Sequence, residues 1–205
     1  WVYRHNAMPM VSVYTCAYNA EKYLEKAMDS VMNQRFHDFE YIIVEDGSTD
    51  RTPVLCTKHT RGWRNVRLIL NEKNLGLASS SNIAIAAARG KYVLRLDADD
   101  ELMPDALRHL VERVERTKAA IVYPSYYEMD ALGYRSHVKV EPSEHHHAGG
   151  AIMNARLLNE LRFRDGLKHW DSLELYNRIR ERDKIAYLDE PTFLYRRHPD
   201  SMSMN

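Results

Sequence analysis

Short apolar runs alternate with helical patterns over the first two-thirds of the chain. Apolar residues that recur every three or four positions predict helices at 21–34, 52–59 and 77–89, with a fourth that Pro104 opens. Strands that alternate with helices form α/β folds, in which helices cover both faces of a mostly parallel sheet. The apolar runs between polar residues predict buried strands at 10–16, 39–44, 66–70, 91–96 and 119–123.

This alternation breaks after Pro124. The pattern over 126–140 indicates irregular structure or a hairpin around Gly133. We expect a short strand at 149–153, followed by a helix at 156–161. A further helix at 170–182 and late strands at 185–188 and 192–195 complete the prediction.

The composition narrows the class of protein. Lys and Arg number 29 and Asp and Glu number 29, and this balance argues against a general nucleic-acid binder. Cys16 and Cys56 show neither disulfide nor zinc spacing, which favours a reducing compartment. No apolar run reaches the roughly 18 residues of a membrane span. We expect a cytoplasmic protein, with peripheral attachment to a membrane as the alternative.

Polar residues stand directly after several predicted strands. Apolar runs are followed by polar residues at four places: Asn19, Asp46, 71–74 and 97–99. In open α/β sheets ligands bind beyond the carboxyl ends of the strands. We therefore expect these side chains to gather along one edge of the sheet.

The acidic segment after the fourth strand is a candidate metal site. Asp97 and Asp99 lie one residue apart, and two carboxylates at a strand end can bind one Mg²⁺ or Mn²⁺. Such an ion neutralises a diphosphate leaving group. The alternative is a solvated acidic turn that caps the next helix. A calcium loop is excluded, since its sixth and twelfth positions would be Leu102 and Arg108.

The other strand exits also have two interpretations. Asp46, in the segment 46–50, could accept a hydrogen bond from a nucleobase or form an Asx turn. Tyr18 could stack on a base or belong to the core. The segment 71–76 is polar with a glycine for a tight turn, and by itself it indicates only a loop.

Taken together, these segments carry a family resemblance. The ordered set 18–19, 46–50, 74–76 and 96–100 resembles the family-2 glycosyltransferases of the GT-A fold, closely over 10–118 and more loosely beyond. The resemblance implies a Rossmann-like, mostly parallel sheet flanked by helices, with a smaller acceptor-side region. It divides the chain into an N-terminal extension at 1–9, a nucleotide-sugar-binding part at 10–124 and an acceptor-binding, catalytic-base region at 125–205.

The resemblance also implies roles for individual residues. It assigns Mn²⁺ or Mg²⁺ to Asp97, Asp99 and His198, and the catalytic base to Asp171, with Glu174 as the reserve candidate. An N-cap role for Asp171 and an exposed tail position for His198 are the structural alternatives. The histidines at 145–147 are read as a solvated loop. The residues implied in nucleotide binding are Ala17, Tyr18, Asn19, Asp46, Asn74, Gly76, Asp97 and Ala98.

Three positions depart from the family pattern. Glu45 stands where an aspartate is frequent and keeps the charge. Ser81 stands where many relatives carry Arg or Lys, and Trp170 replaces a glutamate before the base. The missing positive charge at position 81 has four candidate replacements, and the sequence leaves the choice open: Lys73, Arg95, Arg196 and Arg197.

The resemblance implies an inverting transfer of one sugar from a nucleotide-diphosphate sugar to an acceptor hydroxyl. UDP is the expected nucleotide, with GDP, dTDP and CDP left open, and the acceptor is a glycan, a lipid-linked glycan or a protein. The Gln-x-x-Arg-Trp signature of processive synthases is missing after the base, so single transfers are expected. The alternatives are a catalytically degenerate domain that binds a nucleotide or a partner, and a sugar nucleotidyltransferase. The latter needs a glycine-rich loop that 15–19 does not provide.

Overall fold

The computed structural model describes residues 8–130, 132–140, 148–164 and 171–199. Its N-terminal half contains four parallel strands in the order β3-β2-β1-β4. The two central strands, β1 and β2, are almost entirely buried, as expected of parallel strands covered on both faces. The four strands are β1 (Val11–Ala17), β2 (Phe39–Glu45), β3 (Val66–Leu70) and β4 (Tyr92–Arg95).

Helices cover both faces of this sheet. One apolar cluster packs α1 (Leu24–Met32), α2 (Thr52–Thr60) and α4 (Ala106–Thr117) against one face. A second cluster packs α3 (Leu77–Ala87) against the other face. The predicted α/β class, with a Rossmann-like sheet flanked by helices, is therefore confirmed. In the described part of the chain, no helix is both long and apolar enough to cross a membrane.

The C-terminal half extends the same sheet in the order β8-β6-β9-β5, with β7 paired to β6. Strand β8 is antiparallel to both β4 and β6, whereas β9 runs parallel to β6. Helices α5 and α6 join the cluster on the α3 face. The elements are β5 (Glu101–Leu102), β6 (Ile121–Met129), β7 (Arg135–Val138), β8 (Ile152–Asn154), α5 (Ala155–Leu161), α6 (Asp171–Arg180) and β9 (Ile185–Arg196).

The late strands differ from the prediction. Pro124 does not end β6, and the two strands expected at 185–188 and 192–195 form the single strand β9. The pairing passes from Pro124 opposite Leu188 to Ser125 opposite Pro191, so β9 contains two extra residues at this point. A bulge of this kind lets a strand accommodate proline without ending. Of the two alternatives for 126–140, irregular structure or a hairpin around Gly133, the antiparallel pairing of β6 and β7 shows the hairpin.

Two helices are shorter than predicted. Helix α1 begins at Leu24, and the turn before it is tied to the loop after β2 by the Glu21 N–H, which donates to Asp50 Oδ2 at 3.1 Å. Helix α3 ends at Ala87, and the backbone N–H groups of Arg89 and Gly90 donate to Glu40 and Ser12.

Glu40 is a buried carboxylate at the amino-terminal end of the sheet, opposite the candidate site. Ser12 Oγ donates to it at 2.6 Å, the Arg89 N–H donates at 2.7 Å and Arg67 pairs with it at 2.9 Å. Burial disfavours the charged form, but these hydrogen bonds and the charges of both arginines outweigh it and lower the pKa of Glu40. The network joins β1, β2, β3 and the end of α3.

Candidate functional site

The exits of β1, β2 and β4 lie together at the carboxyl edge of the sheet. Ala17 pairs with Glu45 at the ends of β1 and β2, and the Asp46 N–H donates to the Ala17 carbonyl at 2.9 Å. The Leu96 N–H donates to the Tyr14 carbonyl at 2.9 Å, which aligns the β4 exit with β1. The predicted convergence of strand exits is therefore confirmed.

The loops after β1 and β2 are held together by Asn19. Its backbone adopts φ of 47°, its N–H donates to Ser48 Oγ at 3.0 Å, and its Oδ1 accepts from the Thr49 N–H at 2.9 Å. Ala17 is fully buried, whereas Tyr18 is 47% exposed at the rim of the site. Asn19 thus fixes the loop geometry and leaves the ring of Tyr18 facing solvent.

Asp46 is buried and organises the loop that follows β3. Its Oδ1 accepts from Asn71 Nδ2 at 2.8 Å and from the Leu75 N–H at 3.0 Å, and its Oδ2 accepts from the Gly76 N–H at 3.0 Å. Asn74 Oδ1 accepts from the same Gly76 N–H at 2.9 Å. Because a carboxylate oxygen has two acceptor positions, Oδ2 has a second position for a ligand N–H.

Gly47 lies where the β2 and β3 loops come closest. Its φ is +70°, and a Cβ there would lie 2.4 Å from the Lys73 carbonyl carbon and 2.6 Å from the Asn74 nitrogen. Both neighbours are backbone atoms, so the loops would have to separate.

We expect Gly47→Ala to lower the free energy of unfolding by about 2 kcal/mol, from the left-handed backbone and the overlap together. Urea unfolding measures this loss. The control is Gly62→Ala, which has φ of +88° but no atom within 4 Å of the added Cβ. Equal losses in the two variants would contradict the close approach at Gly47.

Asp97 forms a bidentate ion pair with Arg95. Arg95 Nε lies 2.8 Å from Asp97 Oδ1, and a terminal guanidinium nitrogen lies 3.2 Å from Oδ2. The Arg95 side chain is buried and that of Asp97 is one-quarter exposed. Ala98, between the two acidic residues, packs against the core below.

Asp99 contacts the end of β9 and the residues that follow it. Its Oδ2 lies 3.0 Å from His198 Nε2, and its backbone carbonyl accepts from Arg196 Nε at 3.0 Å. Burial, aided by the negative charge of Asp97, raises the pKa of Asp99, and the His198 contact opposes the rise.

The ring of Tyr23 packs on both of these C-terminal side chains. The Tyr23 and His198 ring centroids are 4.8 Å apart, and the Arg196 guanidinium lies 4.9 Å from the Tyr23 centroid. This arrangement combines an aromatic contact with a cation–π contact. Tyr23 lies directly before α1, as its N-cap residue.

Asp100 is a structural member of the acidic segment. It is 1% exposed, and its Oδ1 accepts from the Arg196 N–H at 2.9 Å. Burial, with the charges of Asp99 and Asp97, raises its pKa well above the ordinary aspartate range. Asp100 therefore ties the β4 exit to β9.

The donor set fits a divalent cation only in part. Asp99 and His198 come together, and carboxylate oxygen and imidazole nitrogen both suit Mn²⁺. Asp97 instead faces Arg95. Across residues 8–130, 132–140, 148–164 and 171–199, no group of three His, Cys, Asp or Glu side chains is arranged to hold a metal ion.

Helix α6 begins at Asp171, the predicted base. Trp170 and the histidines at 145–147 lie outside the described residues. Glu174, the reserve base, pairs with Arg164 at 2.9 Å and with Arg178 at 2.6 Å. Since Arg178 also donates to the last carbonyls of α5, Glu174 helps to anchor α6 on α5.

Ser81 is fully buried, and its Oγ lies 3.8 Å from Cys16 Sγ. Of the four basic residues considered as replacements for a charge there, Arg196 pairs with Glu101, Arg197 pairs with Glu128, and Lys73 is exposed.

Arg95 differs from the other three because it lies opposite Tyr14 in the β1–β4 pairing, within the sheet that Ser81 packs against. An arginine two residues before an aspartate at a strand end was the signal for this ion pair, since side chains two positions apart in extended backbone lie on one face.

Comparisons with known proteins agree with this geometry. The family model described as glycosyl transferase family 2 matches residues 12–199. A chondroitin synthase of Escherichia coli is 38% identical over 127 residues, which are 62% of this chain and 18% of that protein. An uncharacterized glycosyltransferase of Haemophilus influenzae is 36% identical over 121 residues, which are 59% of this chain and 38% of that protein.

The fold is also similar to a solved structure. The crystal structure of residues 1–349 of TarS from S. aureus, in complex with UDP-GlcNAc, has a TM-score of 0.82 and 22% identity. The match covers 95% of this chain and 61% of that one. This chain therefore spans less than two-thirds of the length of each of these three proteins.

Proposed function

The chain belongs to glycosyltransferase family 2, and from this membership we propose that it transfers a single sugar from a nucleotide-diphosphate sugar to an acceptor hydroxyl. The observation that carries the proposal is the gathering of Tyr18, Asp46 and the Asp97–Asp99 segment at the carboxyl edge of one sheet. This edge is where open α/β sheets bind ligands. The family match argues against the alternative of a sugar nucleotidyltransferase.

We assign the nucleotide of the donor to the loops that follow β1, β2 and β3. The proposed nucleotide is UDP. The exposed ring of Tyr18 offers a stacking surface, and Asp46 Oδ2 offers an acceptor for a base N–H. Asn74 and Gly76 belong to the loop after β3 that Asp46 organises. Ala17, through its carbonyl, and Asn19, through its N–H and Oδ1, hold the ends of β1 and β2 together. The UDP-GlcNAc complex of TarS, which has a similar fold, supports the choice of a UDP-sugar.

We assign Mn²⁺ or Mg²⁺ to Asp99 and His198, with Asp97 beside them. When bound, the ion neutralises the diphosphate as it leaves. Arg196 and Tyr23 hold the two proposed ligands in place, one through the Asp99 carbonyl and the other through the His198 ring. Asp100 keeps the segment on β9.

Asp171 is the proposed base. It removes the proton from the acceptor hydroxyl as that oxygen attacks the anomeric carbon from the face opposite the diphosphate, so the configuration is inverted. A correctly placed base contributes typically about 10²–10⁴-fold to the rate. We propose that the acceptor is a glycan, a lipid-linked glycan or a protein, and that it lies on the region from residue 125 onward.

The test is a thermal-shift panel of UDP, GDP, dTDP and CDP, each with and without Mn²⁺. A ligand that binds only the folded state stabilises it by roughly 2.7 kcal/mol at one hundred times its Kd. We expect a Mn²⁺-dependent rise in Tm with UDP for the wild type, and no such rise for Asp99→Asn, which lacks the carboxylate charge.

The control is Asp105→Asn, an aspartate that pairs with Arg35 away from the strand exits. It should respond to UDP and Mn²⁺ as the wild type does. If none of the four nucleotides raises the Tm of the wild type, the proposed donor site is wrong. An unchanged response in Asp99→Asn would show that Asp99 is not a metal ligand and would leave the proposed nucleotide site intact.

A further inference from the structure

Arg95 lies on the α3 face of the sheet, at the end of β4 and directly before the acidic segment Asp97–Asp99. Side chains alternate along a strand, so Arg95 shares a face with Val93, which packs in the α3 cluster. Its direct partner on β1 is Tyr14, which belongs to the same cluster. A charged residue in this apolar layer requires a partner, and the structure supplies Asp97 at 2.8 Å and 3.2 Å.

The bidentate geometry fixes the orientation of Asp97. The planar guanidinium meets both carboxylate oxygens, so rotation of the Asp97 side chain breaks at least one hydrogen bond. The Arg95 side chain is only 6% exposed and cannot follow such a rotation into solvent.

Gly149 limits the carboxylate from a second side. A Cβ on Gly149 would lie 2.9 Å from Asp97 Oδ2, so the carboxylate occupies the space that a side chain would take. Backbone bonds hold this segment in place, since the Gly150 N–H donates to the Arg95 carbonyl at 2.8 Å and Gly149 forms a bridge with Arg95. Arg95 therefore contacts Asp97 through its side chain and the 149–150 segment through its backbone.

We infer that Arg95 and Gly149 are positioning residues, which together set the orientation of the Asp97 carboxylate for binding of the donor diphosphate and its metal. The inference rests on the proposed function, because Asp97 is assigned to that site. It adds two residues to the site that do not themselves contact the donor. Partners of this kind typically contribute 10–100-fold to metal affinity or activity.

Two variants test the inference by different routes. Arg95→Met removes the guanidinium and keeps much of the apolar stem, whereas Gly149→Ala keeps the ion pair and displaces the carboxylate. Gly149 does not have a positive φ, so alanine introduces no backbone strain there. It therefore provides the decisive result even if Arg95→Met does not fold.

The measurement is UDP affinity in the presence of Mn²⁺, by titration calorimetry at a temperature where each variant is folded. The matched control is Arg67→Met, which breaks the buried pair with Glu40 at the other end of the sheet. Because the titration measures Kd and not stability, a purely structural role leaves Kd unchanged.

We expect the Kd to rise 10–100-fold in Arg95→Met and at least tenfold in Gly149→Ala, and to stay within about twofold in Arg67→Met. A Kd within twofold of the wild type in Gly149→Ala overturns the inference and leaves the proposed function intact. Failure of the wild type to bind UDP or any other nucleoside diphosphate overturns the proposed function, and the inference with it.

Discussion

Asp171→Asn is expected to bind UDP and Mn²⁺ as the wild type does and to release UDP from a UDP-sugar about 10²–10⁴-fold more slowly. Asparagine cannot take a proton from an attacking hydroxyl, which removes the base. Asp171 is the first helical residue of α6, and loss of a negative charge in the first turn costs only about 0.3–1 kcal/mol, so α6 should keep its start at residue 171. The measurement is UDP release with water and with a panel of glycan acceptors, beside calorimetric binding of UDP.

The matched variant is Glu174→Gln, one turn later on the same helix. Glu174 is already paired with Arg164 and Arg178, so we expect a loss of stability and near-normal UDP release. If Glu174→Gln loses release while Asp171→Asn keeps it, the base is Glu174. Full release in both variants would exclude both residues as the base.

Glu40→Ala is expected to lower the free energy of unfolding by about 3 kcal/mol, measured by urea unfolding at pH 7. A broken buried ion pair costs about 3–5 kcal/mol. The lower end applies here because the side chains of Arg67 and Arg89 are 38% and 63% exposed and keep contact with water. The buried hydroxyl of Ser12 loses its acceptor in this variant, and the Arg89 N–H keeps only its longer bond to Ser12 Oγ at 3.2 Å.

The Glu40 contribution depends on pH in a defined direction. Its pKa is lowered in the folded protein, so the contribution is complete above the ordinary glutamate pKa. It is lost as the pH falls through the lowered value. The difference between the wild type and Glu40→Ala should therefore shrink on acidification, and a difference that stays constant down to pH 2 would contradict this account.

The control for Glu40 is Glu115→Ala, a glutamate near the surface. A hydrogen bond from Lys91, followed by one from Lys118, lowers the pKa of Glu115 to about 2. Exposed pairs contribute about 0.2–1 kcal/mol, so this variant should lose no more than about 1 kcal/mol despite the large pKa shift. A loss equal to that of Glu40→Ala would show that burial is not the deciding factor.

The sequence predicted the N-terminal half of the fold, where each strand or helix is long enough to show its hydrophobic periodicity. Strands such as β1 and β2 are continuous apolar runs, and their polar exits are easily located. The two-residue strand β5 is too short to show any period and exists only through its pairing with β9. Strand β6 continues past Pro124 because it pairs with a bulge in β9, about sixty residues later. No local sequence pattern reveals this pairing.

The sequence indicated which residues form the candidate site, but not how their side chains are oriented. Asp99 and His198 meet as the resemblance implied, although 99 positions separate them. The turn of Asp97 towards Arg95 was not predicted. The two-residue spacing permits the pair, but the space that the carboxylate occupies lies beside Gly149, in a distant segment. Asp46 and Asn19 were expected to face a ligand. In the structure their side chains hold the loops together, since buried or turn-forming polar groups must satisfy their hydrogen bonds locally.

The pairing of β5 with β9, together with the Asp99–His198 contact, has a consequence for biosynthesis. A ribosome adds about 5–20 residues per second, so His198 follows Asp99 by roughly 5–20 s. During that interval the nascent chain carries Asp100 without the Arg196 N–H and Asp99 without His198. The parallel strands β1 to β4 can assemble cotranslationally, but Asp99 and Asp100 acquire these partners only when the end of β9 and His198 emerge from the ribosome.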